Sequence, residues 1–236
     1  MKRDHVPAAA ERQQVLADDD ALARRLRGFG PLGLIAAVLI LAGNLLVVPL
    51  SALLVLVWAW RSHTAWRDIG YAWPASWPRT LAVGICFGSV FKIVMKAVVM
   101  PLLGANPVNV AYHYLAGNWA ALPGALFAVV VGAGFGEETV FRGYMFERLG
   151  RLLGRTMWAK MAIVVATAAL FAAAHYPDQG LAGVEQAAFT GLAFGGIFAV
   201  TGQIWMLICA HAAFDVVAVA IIYFDVEAAV AHLVFR

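Results

Sequence analysis

Charge is scarce in this chain: only 13% of its 236 residues are Asp, Glu, Lys or Arg, against 63% hydrophobic residues. That is about half the charge of a soluble globular domain, with a larger apolar share. Water is therefore not its main solvent. Cysteine is nearly absent too. Cys86 and Cys209 fall inside apolar blocks without CxxC spacing, which reads as two buried thiols and excludes a disulfide framework. The HExxH zinc-helix signature does not occur. The net charge is only +3 and no basic aromatic face is present, so nucleic acid is excluded as a partner.

Present in place of charge are apolar blocks of about 20 residues, each long enough to cross a bilayer core as a helix, recurring from Leu32 onward. A single cleaved leader does not explain them. The segment Met1 to Phe29 mixes acids and bases, lacks an apolar core of its own and ends in Ala-Arg-Arg-Leu-Arg, so residues 1–29 read as a cytoplasmic, poorly ordered N-terminal tail. Residues 30–236 read as one transmembrane domain, with a motif-bearing core over about 121–224. No repeat with a period of 20 to 50 residues divides it.

The expected spans are Leu32 to Trp60, Thr80 to Leu103, Leu122 to Phe141 with a helical continuation to Leu153, Met157 to His175, Ala187 to Thr201 and Ile204 to Phe224. Gly43-Asn44 and Pro49 interrupt the first block, which is one kinked helix or two short ones. The fold class is all-α, a polytopic bundle of six to eight helices. Lys and Arg gather before Pro31, in Arg61 to Arg79 and in Arg142 to Lys160, whereas Gly104 to Ala121 has none; the basic segments should be cytoplasmic. This favours a hairpin for Leu32 to Trp60. Trp66, Trp73 and Trp77 suit the headgroup region. Gly132, Gly134 and Gly136, and Gly191 with Gly195, are spaced for close helix approach.

Ionisable side chains inside such spans cost about 2.5 to 3.5 kcal/mol each on insertion scales, so each needs a partner, a wet cavity or a function. Glu137, Glu138, Arg142, His175, His211 and Asp215 stand out, with Lys92 and Lys96 as a second set that reads as snorkelling or cavity lining. Asp178 and Glu185 read as solvated, in a polar link. Glu138 and Arg142 are four apart on one helix face and can neutralise each other; His211 and Asp215 are also four apart on one face, where the carboxylate can orient the imidazole or contribute directly to a polar pocket. Glu137 is turned about 100 degrees from Glu138 and stays free for chemistry. If the chain reverses near Gly154 to Thr156, Glu137 and His175 each lie about 28 Å from the turn and become level. A structural ion-pair network, or hydrogen-bonded core histidines, is the alternative use of these residues.

The residues Glu137-Glu138-Thr139-Val140-Phe141-Arg142 fit an EExxxR motif, Phe171 to His175 fit FxxxH, and His211 to Asp215 fit a His followed four positions later by Asn or Asp. Three such motifs in this order resemble the CAAX prenyl protease and bacteriocin-processing (CPBP) family of intramembrane endopeptidases, over roughly Trp66 to Phe224. The resemblance implies hydrolysis of a lipidated or hydrophobic peptide substrate in a bacterial inner membrane. Glu137 would be the general base, His175 would help hold the water, His211 with Asp215 would stabilise the oxyanion, and Glu138 and Arg142 would brace the site. Asp215 stands where many relatives have Asn, and an ionised carboxylate cannot donate to an oxyanion.

The chemistry is sound on its own terms, since peptide hydrolysis needs a base, an activated water and donors aimed at developing charge. Glu137, His175 and His211 also make a set suited to one divalent metal such as zinc. Either no cofactor or one such metal is compatible with these residues. The competing functions are a non-catalytic peptide-binding or immunity protein and an ion-coupled transporter. The oligomeric state and the side to which the site opens are not encoded in any motif.

Overall fold

The computed structural model describes residues 6–235, and no strand occurs among them. Nine helices follow in order: α1 (Val6–Arg27), α2 (Pro31–Leu46), α3 (Val48–Arg61), α4 (Trp77–Leu102), α5 (Leu122–Leu153), α6 (Met157–Ala174), α7 (Tyr176–Thr201), α8 (Ile204–Tyr223) and α9 (Glu227–Ala231). Helices α4 to α8 are each long and apolar enough to cross a membrane, and the bent pair α1–α2 makes a sixth candidate. The chain is a multi-pass membrane protein with an all-α fold, as its apolar blocks require.

The block Leu32 to Trp60 is a hairpin. Val47 is extended (φ −147°, ψ 92°) between α2 and α3, and Pro49 opens α3 where its missing N–H costs no helical bond. The Ser51 hydroxyl donates to the Ile40 carbonyl across the pair. Gly43 lies against Ser51 and Leu54, so the two helices run back along each other. Sixteen and fourteen residues give about 24 and 21 Å of helix, less than the ~30 Å hydrocarbon core. At the apex Leu46 is 84% exposed, and Val48 presses on Gly136 in the middle of α5.

Where the sequence reads as a poorly ordered tail, Val6–Arg27 is helical. Tertiary contacts hold its second half, as packing supplies most of a helix's stability in a protein. Ala23 is buried, the Trp58 indole donates to the Leu26 carbonyl at 3.1 Å, and Arg148 donates to the carbonyls of Arg27 and Gly28. Asp19 lies 3.1 Å from His63 in the loop after α3. The arginine-rich last turn of α1 and the Trp-rich loop thus share one side.

Two pairs of helices form the core. Helices α4 and α8 run parallel, since Gly84 meets Met206 and Cys209, Gly88 meets Ala210, and Phe91 stacks near Phe214. A Cβ built at Gly88 would lie 1.9 Å from the Ala210 carbonyl oxygen, so backbone touches backbone there. Gly84 and Gly88, four apart, form a small-xxx-small contact that sequence reading passed over. Cys86, between them, points the other way and is exposed, and Cys209 is only half-buried. The expectation of two buried thiols therefore fails, because the face opposite the Gly84–Gly88 contact is lipid-facing.

Helices α6 and α7 run antiparallel, with Gly191 against Ala168 and Gly195 near Val164, as the glycine spacing predicts. Helix α7 starts at Tyr176, well before Ala187, so Asp178 and Glu185 sit on a helix and not in a link. A break at Gly180 (φ 62°, ψ −156°) bends it, a conformation open to glycine. Asp178 is exposed and Glu185 half-buried.

Candidate functional site

The first motif lies in a stretch of widened, π-helical turns, Ala128–Tyr144 within α5, where an ordinary α-helix is expected. Its glycines allow this. Gly134 meets Ala212 of α8 and Gly136 meets Val48 of α3, so neighbours approach the backbone from two sides. The Thr139 hydroxyl also donates to the Phe135 carbonyl at 2.6 Å. With its own hydrogen committed there, Thr139 Oγ1 accepts from Tyr71 Oη at 2.6 Å. Tyr71, in the loop before α4, ties the motif to the Trp-rich segment. Burial, with the Glu138 carboxylate adding to it against the Thr139 hydrogen bond, pushes the Tyr71 phenol up to about 12. It stays a donor at any physiological pH.

Glu138 is fully buried, and one of its oxygens, Oε1, serves two cations or donors at once. Arg142 Nη1 donates to it at 2.8 Å and His211 Nδ1 at 2.7 Å. The Arg142 guanidinium also lies over the rings of Phe171 (4.8 Å) and Phe194 (5.6 Å), a dry enclosure in which charge-assisted bonds are strong. The i,i+4 pairing read from sequence is present and extends to a third residue on another helix.

This bond fixes the His211 ring. A carboxylate accepts, so Nδ1 carries the hydrogen and Nε2 is turned to the other side. There it faces Glu137 Oε2 at 3.7 Å and Asp215 Oδ2 at 3.5 Å. Glu137 and Asp215 are partly exposed, with side-chain exposures of 17% and 23% against 6% for His211. The three groups therefore meet where α5 and α8 leave Glu137 and Asp215 partly exposed. Glu137 Oε2 and Glu138 Oε2 have no hydrogen-bond partner among the described residues, and of the two side chains only that of Glu137 is partly exposed.

His175 ends α6. Its Nδ1 donates to the Phe171 carbonyl at 2.8 Å, which turns Nε2 away from its own helix. The Phe171 ring stands between the two histidines, 4.6 Å from the His175 ring and 6.0 Å from that of His211. Phe141 meets Phe171 at 5.0 Å, the register a turn near Arg155 dictates, so Glu137 and His175 fall at one level as their spacing predicts. All six motif residues are thus gathered about Phe171 and Phe194. Among the described residues no three His, Cys, Asp or Glu side chains stand as a ready metal cage. The donor set Glu137, His175 and His211 does not converge as such a cage.

A second polar layer lies farther along α4 and α8. Lys92 Nζ donates to Gln186 Oε1 of α7 at 2.9 Å and sits 4.7 Å from the Phe214 ring centre. It does not snorkel. Lys96 pairs with Glu227 of α9 at 3.1 Å and donates to the Pro107 carbonyl at 2.6 Å, while Glu227 also accepts from the Asn109 N–H at 2.9 Å and lies 3.6 Å from His113. The loop after α4 is thereby fastened over this end of the bundle. Its Tyr112 Oη accepts from Gln179 at 3.3 Å, and burial followed by the carboxylates of Asp178 and Asp215 pushes the phenol up. Gln186 and Glu227 escaped sequence reading: Gln186 is neutral, and Glu227 follows the last apolar span.

Residues 118–217 match the family model described as Rce1-like, type II CAAX prenyl endopeptidase Rce1-like. The matched segment contains all six motif residues, and the resemblance carried by the three motifs holds over it. Neither the curated proteins nor the solved structures include a match to this chain.

Proposed function

We propose that this chain, an Rce1-like relative over residues 118–217, is an intramembrane endopeptidase that hydrolyses a peptide bond of a lipidated or hydrophobic substrate with water activated by Glu137. The observation that carries the reading is the orientation of His211: Glu138 holds its Nδ1, so its Nε2 is turned to the Glu137 carboxylate.

A water between Glu137 and Nε2 of His175 loses its proton to Glu137 as its oxygen attacks the substrate carbonyl. The carbonyl oxygen gains negative charge and needs a preorganised donor. His211 Nε2, when it carries a hydrogen, is that donor. Asp215 accepts only, so its part is to orient the imidazole and balance its charge. Glu137 then passes its proton to the leaving amine. Arg142 stays paired with Glu138 in the dry interior, and Glu138 keeps His211 aimed.

On the positive-inside reading the arginine-rich end of α1 and the Arg142 to Lys160 turn face the cytoplasm. The test is cleavage of a prenyl-cysteine peptide by the purified protein in detergent. Glu137→Gln should lower the rate by about 10²-fold or more, the usual scale of a general base. Unchanged cleavage by Glu137→Gln removes the proposal.

A further inference from the structure

The end of α1 and the start of α2 meet at a 59° bend and border an open cavity of about 650 Å³, lined by Arg24, Arg25, Gly28, Gly30 and Leu32 among others. Close packing fixes the bend. A Cβ built at Gly33 would lie 2.0 Å from the Gly28 carbonyl oxygen, and that oxygen accepts from Arg148 Nη2 at 2.8 Å. The charge lining the cavity has one sign. Among the described residues the arginines paired with carboxylates are Arg142 and Arg151, which leaves Arg24 and Arg25, both exposed, without a carboxylate within 4 Å. The nearby acids of α1 are engaged elsewhere: Asp19 and Asp20 lie 3.1 and 3.7 Å from His63. Gly30 caps α2 without a side chain and Pro31 has no N–H to offer, so the Leu32 N–H is one more donor with no acceptor inside the helix. Two guanidinium forks and an unpaired N–H are the complement of a phosphate ester.

What adjoins the cavity decides which phosphate it suits. Leu32, Ile35 and Leu39 are exposed and recur at i, i+3 and i+7 on one face of α2. They make an apolar strip about 10 Å long that starts at the cavity wall. The contact of Asp19 with His63 sets the bend level with the loop that carries exposed Trp66 and Trp73, rings that settle among lipid headgroups. A soluble phosphate gains nothing from the strip. A glycerophospholipid uses both parts, the basic cavity for its phosphate and the strip for the first carbons of an acyl chain.

We infer that the α1–α2 bend binds an anionic glycerophospholipid, its phosphate held by Arg24 and Arg25 and an acyl chain lying along Leu32, Ile35 and Leu39. A zwitterionic headgroup brings a cationic amine for which the cavity has no carboxylate, so the site selects for net negative charge. Bound lipid joins α1 to α2, and through the Trp58 and Arg148 contacts with the end of α1 it braces α3 and α5 as well. The inference is independent of the endopeptidase reading and is judged without any cleavage.

The experiment titrates delipidated full-length protein in neutral detergent with phosphatidylglycerol and with phosphatidylcholine of the same acyl chains, and reads bound lipid by native mass spectrometry. Phosphatidylglycerol should bind about tenfold more tightly and should raise the thermal midpoint more than phosphatidylcholine does. The double variant Arg24→Gln, Arg25→Gln should bring the ratio near one. Arg61→Gln with Arg79→Gln removes the same charge from exposed positions flanking the Trp-rich loop and should leave the ratio unchanged. Inorganic phosphate and glycerophosphoglycerol, the headgroup without its chains, should displace little of the bound lipid at equal concentration. A ratio near one in the unaltered protein overturns the inference. So does an equal loss in both double variants, which would mean diffuse surface charge, and so does displacement by inorganic phosphate, which would mean a site for a free anion.

Discussion

Glu138 accepts from His211 Nδ1 at 2.7 Å through the same oxygen that accepts from Arg142 at 2.8 Å. The His211 ring and the internal ion pair are therefore one unit. Removing Arg142 leaves a buried, unbalanced carboxylate, which costs about 3–5 kcal/mol. Arg142→Met should lower the thermal midpoint in detergent sharply and abolish cleavage. Adding Glu138→Gln to Arg142→Met should recover part of the midpoint but none of the activity, because an amide holds the imidazole more weakly than a carboxylate. A midpoint for Arg142→Met equal to the parent's would show that the pair is not buried as described.

Gly88 and Gly132 make a paired test. A methyl at Gly88 has no room beside the Ala210 carbonyl, whereas nothing lies within 4 Å of the position a Cβ takes at Gly132. Gly88→Ala should separate α4 from α8 and lower folded yield in detergent. Gly132→Ala should be neutral or raise stability by roughly 0.5–1 kcal/mol, the usual helical gain over glycine. Size-exclusion profiles and thermal midpoints of the two variants distinguish these outcomes.

Tyr71 gives a pH signature outside the spans. Its phenol is pushed from 10.0 to about 12 in the folded protein, so the folded state keeps the proton after the unfolded chain has released it. The linked stability is complete below pH 10 and is lost as pH rises from 10 toward 12. Tyr71→Phe should remove this alkaline component and also cost about 1 kcal/mol for the lost bond to Thr139. Unfolding midpoints of both proteins across that alkaline range provide the check.

Much of this could be read before any coordinates. The spans, the Glu138–Arg142 pair and the level placement of Glu137 and His175 follow from periodicity, because 3.6-residue spacing and one turn position fix them. Three features did not follow. The π-helical turns of α5 depend on Val48 and Ala212 approaching glycines from other helices, which a local pattern does not contain. The ordered α1 depends on carbonyls at Leu26, Arg27 and Gly28 being claimed by distant Trp58 and Arg148. Lys92 reads as a snorkelling side chain until Gln186, 94 positions away, is seen to hold it.

Lys96 and Glu227 bear on how the far end is closed. Glu227 is 2% exposed and serves Lys96, the Asn109 N–H and His113 together. Lys96→Met should release the loop and α9 together, seen as faster proteolysis between Gly104 and Ala121 with α5 to α8 still resistant. Protease resistance equal to the parent's would show that the loop is fastened by other contacts.

The hairpin of α2 and α3 turns back at Val47, with its exposed Leu46 beside the mid-point of α5. Beyond that turn-back, acyl chains and not protein must abut the flank of the helix bearing Glu137. Thickening the bilayer draws the apolar tip and α5 out of match by different amounts, so acyl-chain length acts on Val48 against Gly136 much as a wedge acts on a joint. Turnover in vesicles should accordingly track lipid chain length.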